Sequence, residues 1–356
     1  MKSLKYNIRK LTWLLLFMLM PVLSASAAES EGNGKLDVTG IVLGHIGDSY
    51  EWHITTWGET HISIPLPVIV MGSNGQWHVF LSSEFHHSST GEHEGFYIAK
   101  EGSFKDKIVE KSATGAETRP LDLSITKTAF AIILNSILLC IIILSVARWA
   151  KRNPNQAPKG FAGFMEMFIM DINDNVVKTC IGKGYERYAP YLLTVFFFIF
   201  FNNLMGLIPI FPGGANVTGN IAITLTLACC TFLAVNLFGT KEYWKEIFWP
   251  DVPMALKPIM IPIEIVGIIT KPFALMIRLF ANMMAGHSVI LSLVCLVFIT
   301  AVMGPALNGS MTVLSVFFGI FMNILELLVA YIQAYVFTML SAVFIGLSKV
   351  EPHHVK

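Results

Sequence analysis

Residues 188–240 read YAPYLLTVFFFIFFNNLMGLIPIFPGGANVTGNIAITLTLACCTFLAVNLFGT, and between Arg187 and Lys241 no side chain carries a fixed charge. A soluble domain carries about 25% charged residues. An uncharged run of this length has room for two membrane-spanning helices of about 20 residues each. The stretch IPIFPGGAN, 208–216, places Pro and Gly between them and predicts the turn. The whole chain agrees: 356 residues, 54% hydrophobic, 14% charged and a mean hydropathy of +0.61. A net charge of +1 leaves no general attraction to nucleic acid.

Outward from this core, Thr128 to Val146 forms a further uncharged run that ends at RWAKR, with Arg148, Lys151 and Arg152. Between Lys257 and Lys349 only Glu264, Lys271, Arg278 and Glu326 carry fixed charge, and MGPALNGS, 303–310, divides that region into two long helices. The expected fold is an all-α polytopic membrane protein of five transmembrane helices, at about 128–147, 189–208, 217–239, 259–302 and 311–348. Lys and Arg crowd the segments 148–187 and 240–257 and are missing from 208–216 and 303–310. By the positive-inside rule the basic segments face the cytoplasm and the bare turns face outward. Within the first basic segment, Phe161, Phe164, Met165, Phe168, Ile169, Ile172 and Val176 recur at helical spacing. They predict a cytoplasmic-side amphipathic helix, either on the membrane surface or against a partner.

The N-terminus is of another kind. Lys2, Lys5, Arg9 and Lys10 precede a short apolar run, 11–23, and the A-x-A of Ala25 and Ala27. This reads as a secretory signal peptide over 1–27, with a retained anchor as the alternative. Residues 28–125 are rich in His, Gly, Ser and charge. HISIPLPVIV and GQWHVFLSS read as strands joined at GSNG, so an exported β-rich extension is expected. It holds His45, His53, His61, His78, His86, His87 and His93, and HH before GEHEG is a candidate metal site weighed against a plain β surface. The membrane domain then covers 126–350, with a cytoplasmic tail at 351–356. The five cysteines, Cys140, Cys180, Cys229, Cys230 and Cys295, lack metal-ligand spacing and read as small buried apolar residues.

An arginine in the middle of a span costs about 2.5–3.5 kcal/mol on insertion scales, so Arg278 needs a reason. Glu264, Lys271 and Arg278 stand seven residues apart, and seven steps of about 100° return to within about 20° of one helix face. Asn282 falls on the same side. In the next helix Glu326 and Gln333 repeat the spacing, with Asn323 three before Glu326. Two polar stripes make a hydrated route between helices or toward a partner. Single polar residues in spans also serve as helix–helix glue, and Lys271, nearer the cytoplasmic end, can snorkel. Arg keeps its proton and is a permanent cation. Glu326 and His287 can exchange protons. His287, nine residues beyond Arg278, falls on the opposite side of the helix and should face a neighbour. A stand-alone ion transporter and a membrane metalloenzyme are the other classes; the chain shows neither internal repeats nor H-E-x-x-H.

KPFALMIRLFANMMAGH, 271–287, resembles the signature of subunit a of the F-type ATP synthase. FNNLMGLIP at 201–209, TGNIAITLTLA at 218–228 and ELLVAYIQAYVFTMLSAVFI at 326–345 resemble that family in the same order, over most of 127–350. The resemblance implies a non-catalytic proton-channel subunit of the cell inner membrane, without cofactor or metal. It would offer two half-channels to a ring of c subunits, beside the b-subunit stator stalk and the remaining Fo and F1 subunits. The family's essential arginine falls on Arg278, its Asn on Asn282 and its Gln on Gln333. Asn203 and Asn220 match polar positions of the outer half-channel, and Glu264 a carboxylate of the cytoplasmic one. Two departures stand out. Some members carry a carboxylate where His287 stands and a histidine where Glu326 stands, and Gly206 replaces an acid. The outer relay implied here is His287 with Glu326.

Overall fold

A computed structural model describes residues 38–57, 60–87, 91–99, 102, 104–111, 117–208, 211, 213–250, 252–254 and 256–349. The expected signal peptide and the tail at 351–356 lie outside the described residues. The chain forms two compact units. One comprises residues up to Leu134 with 208–215 and 291–320; the other comprises 135–207, 216–290 and 321 onward.

The first unit contains the expected strands. After helix α1 (Val38–Ile46), β1 (Glu51–Trp57) and β2 (Thr60–Pro65) form a hairpin with an irregular register between His53 and Thr55. β3 (Pro67–Met71) pairs with β4 (Trp77–Leu81), and GSNG makes the turn, with Gly75 in the left-handed region at φ 74°. HISIPLPVIV is therefore two strands broken at Leu66, a residue that is 2% exposed and whose N–H donates to the Ser82 hydroxyl. After α2 (Glu84–His87) come β5 (Glu92–His93), β6 (Phe96–Ile98), β7 (Ile108–Lys111), β8 (Glu117–Thr118) and β9 (Leu121–Asp122). The sheets run β4-β3-β9 and β5-β6-β7-β8. Their core is Tyr50, Val68, Val70, Phe85, Phe96 and Ile108. The Tyr50 hydroxyl donates to Asp122, and burial together with that bond pushes its pKa upward. Nδ1 of His78 pairs with the Glu94 carboxylate, but no group of three His, Cys, Asp or Glu able to hold a metal occurs among the described residues.

The extension runs into α3 (Lys127–Arg152) without a linker. Asp48 Oδ1 accepts from the Thr128 backbone N–H at 3.0 Å and from its hydroxyl at 2.8 Å, an N-terminal cap supplied from 80 residues away. Trp52, 4% exposed, sets its ring edge-on to Phe130 at 6.0 Å and to Phe211 at 5.3 Å. Trp52→Ala should destabilise this unit by about 3–5 kcal/mol. The expected result is faster proteolysis of the extension in membranes while the later helices stay protected; unchanged proteolysis would contradict it.

In the second unit, α4 (Phe161–Asp171) continues through a π-helical turn, Ile172–Val177, into α5 (Lys178–Ile181). The extra residue of that turn shifts the apolar stripe. Met165, Ile172 and Val176 are buried as the spacing required, but so are Val177 and Ile181, while Phe161 and Phe164 stay exposed. α6 (Ala189–Leu207) packs through Leu192, Phe196 and Ile199, all 0% exposed. α7 (Ile221–Leu237) turns by 99° into α8 (Lys241–Phe248). α9 (Lys257–Ala301) and α10 (Pro305–Leu347) follow, with 291–320 of the two belonging to the first unit. α10 starts earlier than MGPALNGS led one to expect, because Pro305 occupies the first helical position, where its missing N–H costs nothing. Near the other end of α10, a Cβ on Gly346 would come within 2.2 Å of the Cys180 carbonyl, so only glycine permits this approach.

Among the described residues four helices, α3, α6, α9 and α10, are long and apolar enough to cross a membrane, or five if α7 and α8 count as one bent span. At about 1.5 Å per residue, the 45 residues of α9 amount to about 68 Å of helix, roughly twice the hydrocarbon thickness. The cysteines correct the sequence reading. Cys295 is buried, but Cys140, Cys229 and Cys230 are exposed on apolar helices, where a small apolar side chain suits lipid as well as a core.

Candidate ion-translocation site

Every candidate residue lies in the second unit. On α9, Leu275, Met276, Leu279 and Met283 are at most 4% exposed and anchor the helix to its core. Arg278 and Asn282 fall on the uncovered side. Among the described residues no ion pair or hydrogen bond engages the Arg278 guanidinium. An arginine supplies five donors in a rigid fork, and here all of them are offered outward. Glu264 and Lys271 share its stripe and are partly exposed. Lys271 also lines a small, partly open cavity with Thr231, Asn236, Tyr243, Ile268 and Pro272. Pro272 has no N–H to give the Ile268 carbonyl, and Asn236 Oδ1 is buried without a donor.

The flank of α9 from Asn282 round to His287 meets α10. Asn282 donates from Nδ2 to Gln333 Oε1 at 2.7 Å, with Gln333 3% exposed. One helical turn and a half further on, His287 Nδ1 lies 2.5 Å from Glu326 Oε1. Both Glu326 oxygens are buried, and His287 is the group set against them. The Glu326 side chain is 3% exposed. An imidazole and a carboxylate this close are two groups between which a proton can pass. Gly286 makes the contact possible: a Cβ there would stand 2.9 Å from Glu326 Oε1.

A third group gathers around the start of α7. Asn203, 0% exposed, accepts from the Thr218 hydroxyl at 2.6 Å. Asn202 accepts from Asn135 of α3 at 3.0 Å. Asn216 Oδ1 accepts the Gly219 N–H. Asn135 Oδ1, Asn203 Nδ2 and Asn216 Nδ2 are left buried and unpartnered. Three orphaned amide atoms among apolar helices are places where water binds. Asn220 differs from this group: its side chain caps α7 by accepting the Ala222 N–H. The structure thus pairs Asn282 with Gln333 and His287 with Glu326, sets Asn203 in a separate polar cluster, and leaves Arg278 facing out. Asn135, Asn202, Asn216, Thr218 and Gly286 were not singled out from the sequence. The only sign of the first four was polarity within apolar sequence, and Gly286 showed none.

A profile of the ATP synthase A chain matches residues 132–346. The chain belongs to the ATP synthase A chain family. Its relatives include ATP synthase subunit a of Chlorobium phaeobacteroides, 46% identical over 257 residues, covering 70% of this chain and 71% of the relative. ATP synthase subunit a 2 of Chlorobaculum tepidum is 49% identical over 65% of each chain. ATP synthase subunit a of Myxococcus xanthus is 41% identical over 66% of this chain and 76% of the relative. Together with its long apolar helices, membership of the A chain family makes this a membrane protein. All nine candidate residues fall inside the matched A chain segment. The extension matches a separate profile, a domain of unknown function (DUF8433), over 41–123.

Proposed function

We propose that this chain is the proton-translocating, non-catalytic subunit a of a rotary ATP synthase. Its two half-channels load and unload the carboxylates of a c-subunit ring, and proton flow through them turns the ring. Arg278 faces the ring, holds each deprotonated carboxylate in passing and bars direct leak between the half-channels. Glu326 and His287 carry protons on the outer side, with Asn203, Asn282, Gln333 and Asn220 as further polar groups of that route. Glu264 and Lys271 stand on the cytoplasmic route. The signal peptide exports the extension, α7 with α8 counts as the fifth crossing, and the C-terminus is cytoplasmic. The assembly sits in the cell inner membrane with the b stalk and the other Fo and F1 subunits.

The observation that carries this reading is the division of labour on α9. A permanent cation with no partner among the described residues occupies its uncovered face. A buried His–Glu pair occupies the face against α10. A relay and a gate need these opposite placements, because a gate that joined the relay would be neutralised by it. The test is composition: the chain purified in mild detergent should bring with it a ring of small two-helix subunits, each with a membrane carboxylate. Purification without such a ring from membranes that make ATP would refute the proposal.

A further inference from the structure

Among the described residues of the extension, the sheet β4-β3-β9 is apolar on both faces, and one of them forms the core. Val68 and Val70 of β3 point into that core. The other face of β4-β3-β9 carries Trp77, Val79 and Leu81 from β4, beside Met71, Ile69 and Pro67 of β3. Leu121 pairs with Met71, and the Leu123 N–H donates to the Ile69 carbonyl, so both leucines extend the same face. Val79 is 69% exposed, Leu123 59%, Leu121 53%, Trp77 52% and Leu81 48%. A solvated antiparallel face alternates polar residues outward, and this one does not.

We infer that this sheet face lies on the lipid surface of the outer leaflet. Position along the chain fixes the occupant. The strand that bears Leu121 and Leu123 stays hydrogen-bonded to β3 through Ile125, and α3 begins at Lys127. Four residues reach at most about 14 Å, so Leu123 cannot leave the neighbourhood of the head of α3. The junction is braced by the Asp48 cap and by Trp52 on Phe130. Below it, Ile133 of α3 is 50% exposed, so apolar surface resumes along the helix itself. Trp77, with an apolar ring and one N–H, is the kind of side chain that settles at a bilayer interface. The face acts as a hydrophobic float that holds the extension flat on the membrane.

This inference rests on α3 crossing the bilayer, and the test separates the two. In the full chain, with the other cysteines replaced, a nitroxide is attached to Val79→Cys, to Leu121→Cys, to Lys105→Cys on an exposed turn, or to native Cys140 within α3. Each sample is reconstituted in phosphatidylcholine–phosphatidylglycerol nanodiscs. Accessibility to oxygen and to a water-soluble nickel chelate is then measured. The expected result is an oxygen-to-nickel ratio at positions 79 and 121 several times that at 105 and near that at 140. A water-like ratio at 79 and 121 with a lipid-like ratio at 140 overturns the float alone. A water-like ratio at 140 removes the span as well. Low access to both reagents at 79 and 121 overturns it in favour of a protein cover, and spin–spin broadening then identifies that cover as a second copy.

Discussion

Arg278→Ala should abolish proton-driven ATP synthesis in inverted membrane vesicles while the chain inserts and assembles at normal levels. The two halves of this expectation have separate physical grounds. Removing a charge from a span relieves about 2.5–3.5 kcal/mol of insertion cost, and no ion pair or hydrogen bond within the described chain is lost. Folding therefore has no reason to suffer. What is lost is the attraction for a passing carboxylate. A unit charge pair about 4 Å apart is worth about 4 kcal/mol at an effective dielectric near 20, which is nearly three powers of ten in occupancy. Arg278→Lys keeps the charge and loses the planar fork, so it should recover a small part of the synthesis. Vesicles that contain Arg278→Ala at wild-type abundance and still make ATP at the wild-type rate would remove the gate from Arg278.

The membrane part was legible because its physics is coarse. Missing charge between 188 and 240 and basic residues on alternate loops need no geometry to read. The seven-residue spacing of Glu264, Lys271 and Arg278 placed them on one stripe, and His287 half a turn away does meet α10 rather than the uncovered face. What escaped depends on single atoms or on register. The π-helical turn at Ile172–Val177 adds one residue and brings Val177 and Ile181 into the core, which no 3.6-residue period anticipates. Gly286 matters only through its distance to Glu326. Asn135 and Asn202 are 67 residues apart, and nothing local in either says that they bond. The apolar sheet face escaped because HISIPLPVIV reads as one strand. The break at Leu66 sets the register of β3 against β4, and that register decides which apolar set is left outside.

Glu326→Gln should slow proton conduction through the membrane sector by at least about tenfold, the scale of a lost proton-transfer group, with the chain as stable as before or more so. Glutamine matches the size of glutamate but carries no exchangeable charge. Neutralising the buried carboxylate removes a desolvation cost that offsets the lost contact with His287. A structural role for Glu326 predicts the reverse, reduced assembly with proportionate flow. Gly286→Ala offers an independent route to the same pair. Its methyl group would meet Glu326 Oε1 at 2.9 Å and push the carboxylate away from His287 without touching either titratable group. If the two side chains act as one relay, Gly286→Ala should also slow conduction. The double variant should then be no slower than Glu326→Gln alone, since a unit already broken cannot be broken again. The measurement is proton uptake by vesicles stripped of the soluble sector, with a potassium diffusion potential as the drive. Additive losses would mean that Gly286 acts through helix packing, and unchanged flow in Glu326→Gln would leave the outer half-channel without its carboxylate.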